Sequence, residues 1–327
     1  MSRPTVDPPT ITPPAVARPP IARLRALRSV ELLTPSFTEA ADFYQEVWGL
    51  ETVELERGAA AWLRGTGAEH HALQLTRADR IGLGRISFAV GTPAEVDEAA
   101  RRLLARGITP VAGPGPLDQV GGGYGLRFTD PEHRLIEISA EVHAVAPRGQ
   151  DGAVPVGVTH AVLNTADIDA SVAFYRDVLG LRVSDWSEHQ MAFLRCNADH
   201  HCIAFNQARW ASLNHVAYEM TSVDHFMRGL GRLRHHGIDP QWGPGRHGPG
   251  NNTFSYFTDP SGLVCEYTSE VAQIVEDAWI ARVWRRVPEL SDLWGTAGPP
   301  SKEIRCHMAG APDPGPLSAQ DTPEVQA

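Results

Sequence analysis

Lysine is almost absent from this chain: Lys302 stands alone, and arginine carries nearly all the positive charge. Acidic residues outnumber basic ones, leaving a formal net charge of -10 over 327 residues. A phosphate-binding surface needs clustered Lys and Arg, so no nucleic-acid role is expected. The four cysteines, Cys196, Cys202, Cys265 and Cys306, form no C-x-x-C pair, which argues against a zinc ribbon or a dithiol redox motif. No stretch approaches the roughly 20 apolar residues of a membrane span. The opening MSRPTVDPPTITPPAVARPP has too many prolines and no apolar core for a signal sequence. A cytoplasmic protein with free thiols is the expectation.

An internal repeat organises what is there. FYQEVWGL, from Phe43, returns as FYRDVLGL from Phe174, about 130 residues later. HHALQL from His70 returns as HHCIAF from His200, GITP from Gly107 as GIDP from Gly237, and FTDP from Phe128 as FTDP from Phe257. These near-constant offsets divide the chain into a Pro-rich arm (1–24), a first module (25–142), a second module (155–270) and a C-terminal extension with a loose tail (271–327).

Each module is itself double. In the second, VTHAVLNTA reads as a strand and DIDASVAFYRDVLGL as a helix, with Asp167 or Asp169 as its cap and Gly180 as its stop. Strands follow at LRVSDW, QMAFLRC and HCIAFN. The cycle restarts with LNHVAYEM and a helix over SVDHFMRGLGRLRHHG, then strands around Phe254–Phe257 and Leu263–Tyr267. The expected fold class is α+β: four βαβββ units, paired into two curved mixed sheets, each wrapped partly round a cavity.

Three polar residues sit in strands that should be apolar: His160 in VTHAVLN, His215 in LNHVAYEM and Glu266 in LVCEYT. A lone strand histidine is more often a core residue than a ligand, and a lone buried Glu usually pairs with Arg. Three at corresponding points of repeated units favour a metal site. Two imidazoles and one carboxylate on one face are the facial triad of non-haem Fe(II) enzymes. The first module provides an internal control. Ser29 stands at the place of His160 and Arg85 at that of His215, while Glu137 matches Glu266. One copy is expected to bind metal and the other to scaffold. His247 and Tyr256 are likewise replaced, by Leu117 and Arg127, whereas His201 keeps a counterpart in His71.

The stretch Gly245–Glu266, GRHGPGNNTFSYFTDPSGLVCE, resembles the signature of the type I extradiol catechol dioxygenases of the vicinal oxygen chelate (glyoxalase–bleomycin resistance) superfamily. It departs in Ser255, where the family usually has an apolar residue, and in a slightly long spacer. The resemblance covers roughly 25–270 and implies two vicinal-oxygen-chelate domains, the N-terminal one metal-free. It implies His160, His215 and Glu266 as ligands to Fe(II), or Mn(II), with O2 as co-substrate. It further implies His201 as the distal histidine assisting oxygen activation, preferred over its neighbour His200, and His247 with Tyr256 as contacts to the substrate oxygens. The implied reaction is extradiol cleavage of a catechol to a semialdehyde acid in aromatic catabolism, by a homo-oligomer.

Other residues are weaker candidates. Val162 and Asn164 share strand parity with His160 and are expected to line the pocket; Phe193 and Trp210 fit core packing better. The extension, with Trp279, Trp284, Arg285 and Arg286, is either a lid or, more simply, a subunit contact. His189, His235 and His236 read as solvated. Two further functions stay open: another metalloenzyme of the same fold, such as a glyoxalase-like isomerase or thiol transferase, and a metal-free small-molecule-binding protein.

Overall fold

Short apolar strands separated by glycine turns pair into two mixed sheets in the computed structural model, which describes residues 18–149, 152–275 and 279–313. The first module contributes β1 (Ala26–Thr34), β2 (Glu51–Glu56), β3 (Ala60–Arg64), β4 (Leu73–Arg77), β5 (Gly82–Ala89), β6 (Ala112–Pro116), β7 (Tyr124–Thr129) and β8 (Leu135–Ala140). They form an eight-stranded sheet in the order β2-β3-β4-β1-β5-β8-β7-β6. The second module repeats the pattern with β9 (Val158–Thr165), β10 (Arg182–Ser187), β11 (Met191–Arg195), β12 (Ile203–Gln207), β13 (Ser212–Glu219), β14 (Trp242–Arg246), β15 (Thr253–Thr258) and β16 (Val264–Ser269). A short strand from the extension, β17 (Arg282–Trp284), adds to β10 and makes nine. Two βαβββ units per sheet, with the first strands of the two units antiparallel at the centre, match the expected α+β class.

Helices α1 (Phe37–Asp42), α2 (Pro93–Leu104), α3 (Ile168–Asp177) and α4 (Val223–His235) lie between the first and second strands of the four units. Their starts follow side-chain chemistry. Thr92, Asp167 and Ser222 each accept a backbone N–H of the first turn, satisfying a donor the helix cannot pair internally. Of the two proposed caps of α3, Asp167 is the one used. Buried Phe226, Gly229, Leu230 and Leu233 mark the apolar stripe of α4. No described helix is long and apolar enough to cross a membrane.

The modules lock together through aromatic packing. Trp48, fully buried, lies 3.9 Å from the ring of Tyr267. Its carbonyl accepts hydrogen bonds from the Tyr267 hydroxyl and from Arg232.

Three expectations need correction. Residues 21–24, counted with the arm by composition, pack between elements: Ile21 is fully buried and its N–H donates to the carbonyl of Val178. Two apolar side chains, Ile21 and Leu24, outweigh the prolines there. Residues 309–313 are not a loose tail either, because Asp313 forms a buried ion pair with Arg134 at 2.8 Å. Residues 1–17 and 314–327, also of those segments, lie outside the described residues. Finally, His201 precedes β12 instead of lying in it.

The extension folds onto the second sheet. Helix α5 (Pro288–Ser291) and helix α6 (Lys302–Ala309) follow β17. Ile304 of α6 is buried against Phe254, Tyr256 and Val264. Asn164 donates to the carbonyl of Met308 at 2.7 Å, tying the end of α6 to β9.

Candidate metal centre

Register places the three ligands. His160 on β9 lies opposite Ala217 on β13, and Ala217 lies opposite Glu266 on β16. Cross-strand partners share a face, so His160 and Glu266 flank the small methyl of Ala217. His215, two residues back on β13, points to the same face. Tyr256 on β15 pairs with Glu266, and Trp242 on β14 pairs with Tyr256, extending the row. The ligand atoms of His160, His215 and Glu266 all lie within 4.8 Å of one another. Nε2 of His160 is 3.3 Å and Nε2 of His215 is 3.1 Å from Oε2 of Glu266.

This cluster fits a cation. Both carboxylate oxygens of Glu266 and Nε2 of His215 are buried without an aligned hydrogen-bond partner, an arrangement that is costly unless something satisfies them. Burial alone would raise the Glu266 pKa, but the close approach of His160 and His215 holds it at about 2. Burial also pushes His215 toward its neutral form. A charged carboxylate and neutral imidazoles are the donor set that a divalent metal requires. The other nitrogen of His215, Nδ1–H, donates to Oδ1 of Asn214 at 2.8 Å. Asn214 donates in turn to Oδ1 of Asn164 at 3.0 Å. That chain fixes the His215 ring with Nε2 inward, as outer partners of metal-bound histidines do.

His160 and His215, two of the three candidate ligands, border a cavity of about 410 Å³. His201 stands beside His160, ring centroids 4.3 Å apart, and burial drives its pKa well below the usual histidine range. His200 turns away from the cavity: its Nδ1 lies 3.1 Å from Nδ1 of His201 and its Nε2 lies 3.0 Å from Oδ2 of Asp185. Gly250, at φ 77°, packs against this pair; a Cβ there would stand 3.1 Å from the His201 ring, so only glycine suits both the space and the backbone. Across the cavity, Nδ1–H of His247 donates to the carbonyl of Ser291 at 2.9 Å. Its Nε2 is thereby left to accept the hydroxyl of Tyr256, also at 2.9 Å. Burial, then the Glu266 charge, push Tyr256 well above the usual phenol range, so its O–H is a persistent donor.

Val162, Asn164 and Phe193 line the cavity, Phe193 clustering with Val162 and Ala204. Trp210 does not; its Nε1 donates to the carbonyl of Gly310. The extension supplies a wall through Arg285, Arg286, Leu290, Arg305 and Met308. His189, His235 and His236 are exposed. Asp185, Asn214 and Trp242 escaped the sequence reading. A buried Asp within a strand was the one local signal for the first of them.

In the first module a guanidinium stands where the second module has its second histidine. Ser29, Ser87 and Glu137 occupy the row of His160, Ala217 and Glu266. The guanidinium of Arg85 lies 3.4 Å from Glu137, and Arg127 donates to the same carboxylate at 2.8 Å. A fixed side-chain cation neutralises the buried carboxylate. His71, the counterpart of His201, is held at about 3, chiefly by burial, with the charges of His70, Arg85 and Arg28 adding. The unfolded chain protonates this ring below about pH 6.5, the folded chain only near 3, so stability is lost as pH falls through that window. Urea unfolding at pH 7 and pH 4 should show His71→Gln losing roughly 3 kcal/mol less than the unsubstituted chain. Equal losses would mean the ring is not held neutral.

Comparison with known proteins agrees with this fold. The profile of the Glyoxalase/Bleomycin resistance protein/Dioxygenase superfamily matches residues 26–138 and 157–267. Metapyrocatechase 2 of Cupriavidus necator is 32% identical over 205 residues, 55% of this chain and 62% of that protein, so the chain spans about three-fifths of that relative. Manganese-dependent 2,3-dihydroxybiphenyl 1,2-dioxygenase of Geobacillus genomosp. 3 is 27% identical over 78% of this chain and 88% of its own length. Among solved structures, the Mn(II)-bound glyoxalase of Novosphingobium aromaticivorans superposes with a TM-score of 0.83 at 40% identity, covering 91% of this chain and 99% of that one. Homoprotocatechuate 2,3-dioxygenase of Arthrobacter globiformis shares the fold, with a TM-score of 0.80 at 22% identity over 91% and 98% of the two chains. With its duplicated βαβββ sheets and a profile match to each copy, the chain belongs to the Glyoxalase/Bleomycin resistance protein/Dioxygenase superfamily.

Proposed function

We propose that this chain is an extradiol ring-cleaving dioxygenase, opening a catechol beside its two hydroxyls to a semialdehyde acid with both atoms of O2. The observation that carries the reading is the convergence of His160, His215 and Glu266, with both histidines lining a cavity that His201 and the His247–Tyr256 pair also border. Residues 155–270 do the chemistry, 25–142 scaffold, and the part of the extension between Arg285 and Ala309 walls the cavity. The relatives named as iron-dependent and manganese-dependent dioxygenases support Fe(II) or Mn(II) at the triad.

A metal held by His160, His215 and Glu266 supplies Lewis acidity to the catechol oxygens and open coordination positions for O2. The protein's own groups do the rest. On substrate binding, Tyr256 would turn its one O–H from Nε2 of His247 to a catechol oxygen and so fix the ring's orientation. His201, neutral and facing the cavity, accepts a hydroxyl proton and returns it later in the cycle. Val162, Phe193 and Met191 give the aromatic ring an apolar wall. Asn214 and Asn164 keep His215 aligned.

Anaerobic reconstitution with Fe(II) or Mn(II), then aerobic mixing with substituted catechols, tests the reading. Oxygen uptake and the yellow ring-opened product should appear in equal amounts. Metal binding without oxygen uptake by any catechol would favour an isomerase instead, a reading that the 40%-identical Mn(II)-bound glyoxalase supports. Tyr256→Phe should lower kcat by roughly 10- to 100-fold, the worth of one charge-assisted hydrogen bond. Unchanged kcat would remove Tyr256 from the mechanism. Homo-oligomerisation is supported by exposed Val275, Ile280 and Val283 beside the free edge of β17. The unjoined thiols of Cys196 and Cys202, 3.5 Å apart, suit a reducing cytoplasm.

A further inference from the structure

Behind His201 lies a second histidine and a carboxylate that the reaction as written does not use. Asp185, His200 and His201 are all at most 3% exposed. Oδ2 of Asp185 is 3.0 Å from Nε2 of His200, and Nδ1 of His200 is 3.1 Å from Nδ1 of His201. Asp185 also accepts the backbone N–H of Arg282 at 2.7 Å and the indole N–H of Trp284 at 2.8 Å, both from β17.

We infer that Asp185 and His200 are positioning residues that hold His201 in the tautomer whose Nε2 is bare toward the cavity. The polarity follows from the donors and acceptors in the chain. An ionised carboxylate only accepts, so Nε2 of His200 must carry its proton. If that is the one ring proton of His200, its Nδ1 is a lone pair. It can pair with His201 only if Nδ1 of His201 is protonated, which leaves Nε2 of His201 bare. The two N–H donors from β17 complete the shell of Asp185 and favour its charged form. A bare nitrogen beside the catechol can accept a proton at once; the opposite tautomer would present a proton where none is needed.

The first module keeps the histidine pair without the anchor. Nδ1 of His70 and Nδ1 of His71 are again 3.1 Å apart. Glu54 lies opposite Trp62 as Asp185 lies opposite Phe193. Yet Glu54 is exposed and acts on His70 as a nearby charge, without the hydrogen-bonded contact that Asp185 makes with His200. Among the described residues, this hydrogen-bonded carboxylate link is seen in the copy that carries His160, His215 and Glu266.

The inference rests on the ring-cleavage reading for the purpose of the bare nitrogen, not for its existence. The test is therefore long-range 1H–15N NMR of the histidine-labelled full chain loaded with diamagnetic Zn(II), with His201 assigned by its loss in His201→Asn. A single tautomer protonated at Nδ1 is expected. His200→Phe should give mixed His201 tautomers and, with Fe(II), a kcat about 10- to 100-fold lower at little changed KM. His200→Gln should restore the tautomer, because its amide can donate to Asp185 and its oxygen can accept from His201. Trp284→Phe, which loosens β17 but leaves the carboxylate, should keep the tautomer. Protonation at Nε2 of His201 in the unsubstituted chain, or an unchanged tautomer in His200→Phe, overturns the inference. So does a tautomer change in Trp284→Phe. A correct tautomer in a chain that cleaves no catechol would instead count against the proposed reaction alone.

Discussion

His160→Ala is expected to leave a folded chain that retains less than about one-tenth of an equivalent of Fe(II) or Mn(II) after gel filtration. Losing a partner that merely orients a ligand typically costs 10- to 100-fold in metal affinity, and losing a ligand outright should cost more. With His160 gone, Glu266 and His215 remain, and two donors do not hold a labile divalent ion against washing. The unsubstituted chain should lose thermal stability on chelation, because a ligand that binds only the folded state stabilises it by mass action. The variant's unfolding midpoint should not respond to chelator. His189→Ala, at an exposed turn, serves as the control and should keep a full equivalent. Elemental analysis decides the matter, and stoichiometric metal in His160→Ala would sink the triad.

Arg85→Ala should destabilise the chain by about 3–5 kcal/mol while leaving its metal content unchanged. Arg85 is 6% exposed and Glu137 1% exposed. Removing the guanidinium leaves the buried carboxylate with Arg127 and a 3.3 Å contact from Gln119. Breaking a buried ion pair from one side is costly because the surviving charge stays desolvated. Gln74, which accepts from Arg85 at 2.8 Å, loses a partner as well. The double substitution Arg85→Ala/Glu137→Gln should recover much of the loss, since it removes the orphaned charge. Urea unfolding of both variants measures the difference. A single variant within 0.5 kcal/mol of the unsubstituted chain, on the order of a surface change, would show that Arg85 is not the first module's counter-ion.

Much of the fold was legible because side-chain period and repeat offset are local properties of the chain. The repeated FYxxVxGL and FTDP segments gave the duplication, and the cap at Asp167 and the turn at Gly180, with φ 81°, lie where residue chemistry demands them. His160, His215 and Glu266 were conspicuous as polar residues inside apolar strands. The arm was misjudged from its prolines, because the burial of Ile21 depends on a groove formed by residues far along the chain. The sequence left the extension open between a lid and a subunit contact, and that it walls the cavity is set by the fold. Its place is set by contacts such as Asn164 with Met308 and Arg134 with Asp313, which no local pattern announces.

By itself the sequence determined that there are two copies of one module, and that only the second keeps two histidines and a glutamate at matched positions. Tertiary structure decided how those residues meet. Antiparallel pairing of β9 with β13, and parallel pairing of β13 with β16, brings His160, Ala217 and Glu266 into one row. Shifting either register by one residue would turn these side chains to the opposite face. The same closure decided that His201 lies beside the ligands while His200 turns to Asp185. It also set the Arg85 guanidinium against Glu137 in the first module. Identity and spacing are written along the chain, but convergence depends on strand register and sheet curvature, which arise only when residues distant in sequence pair.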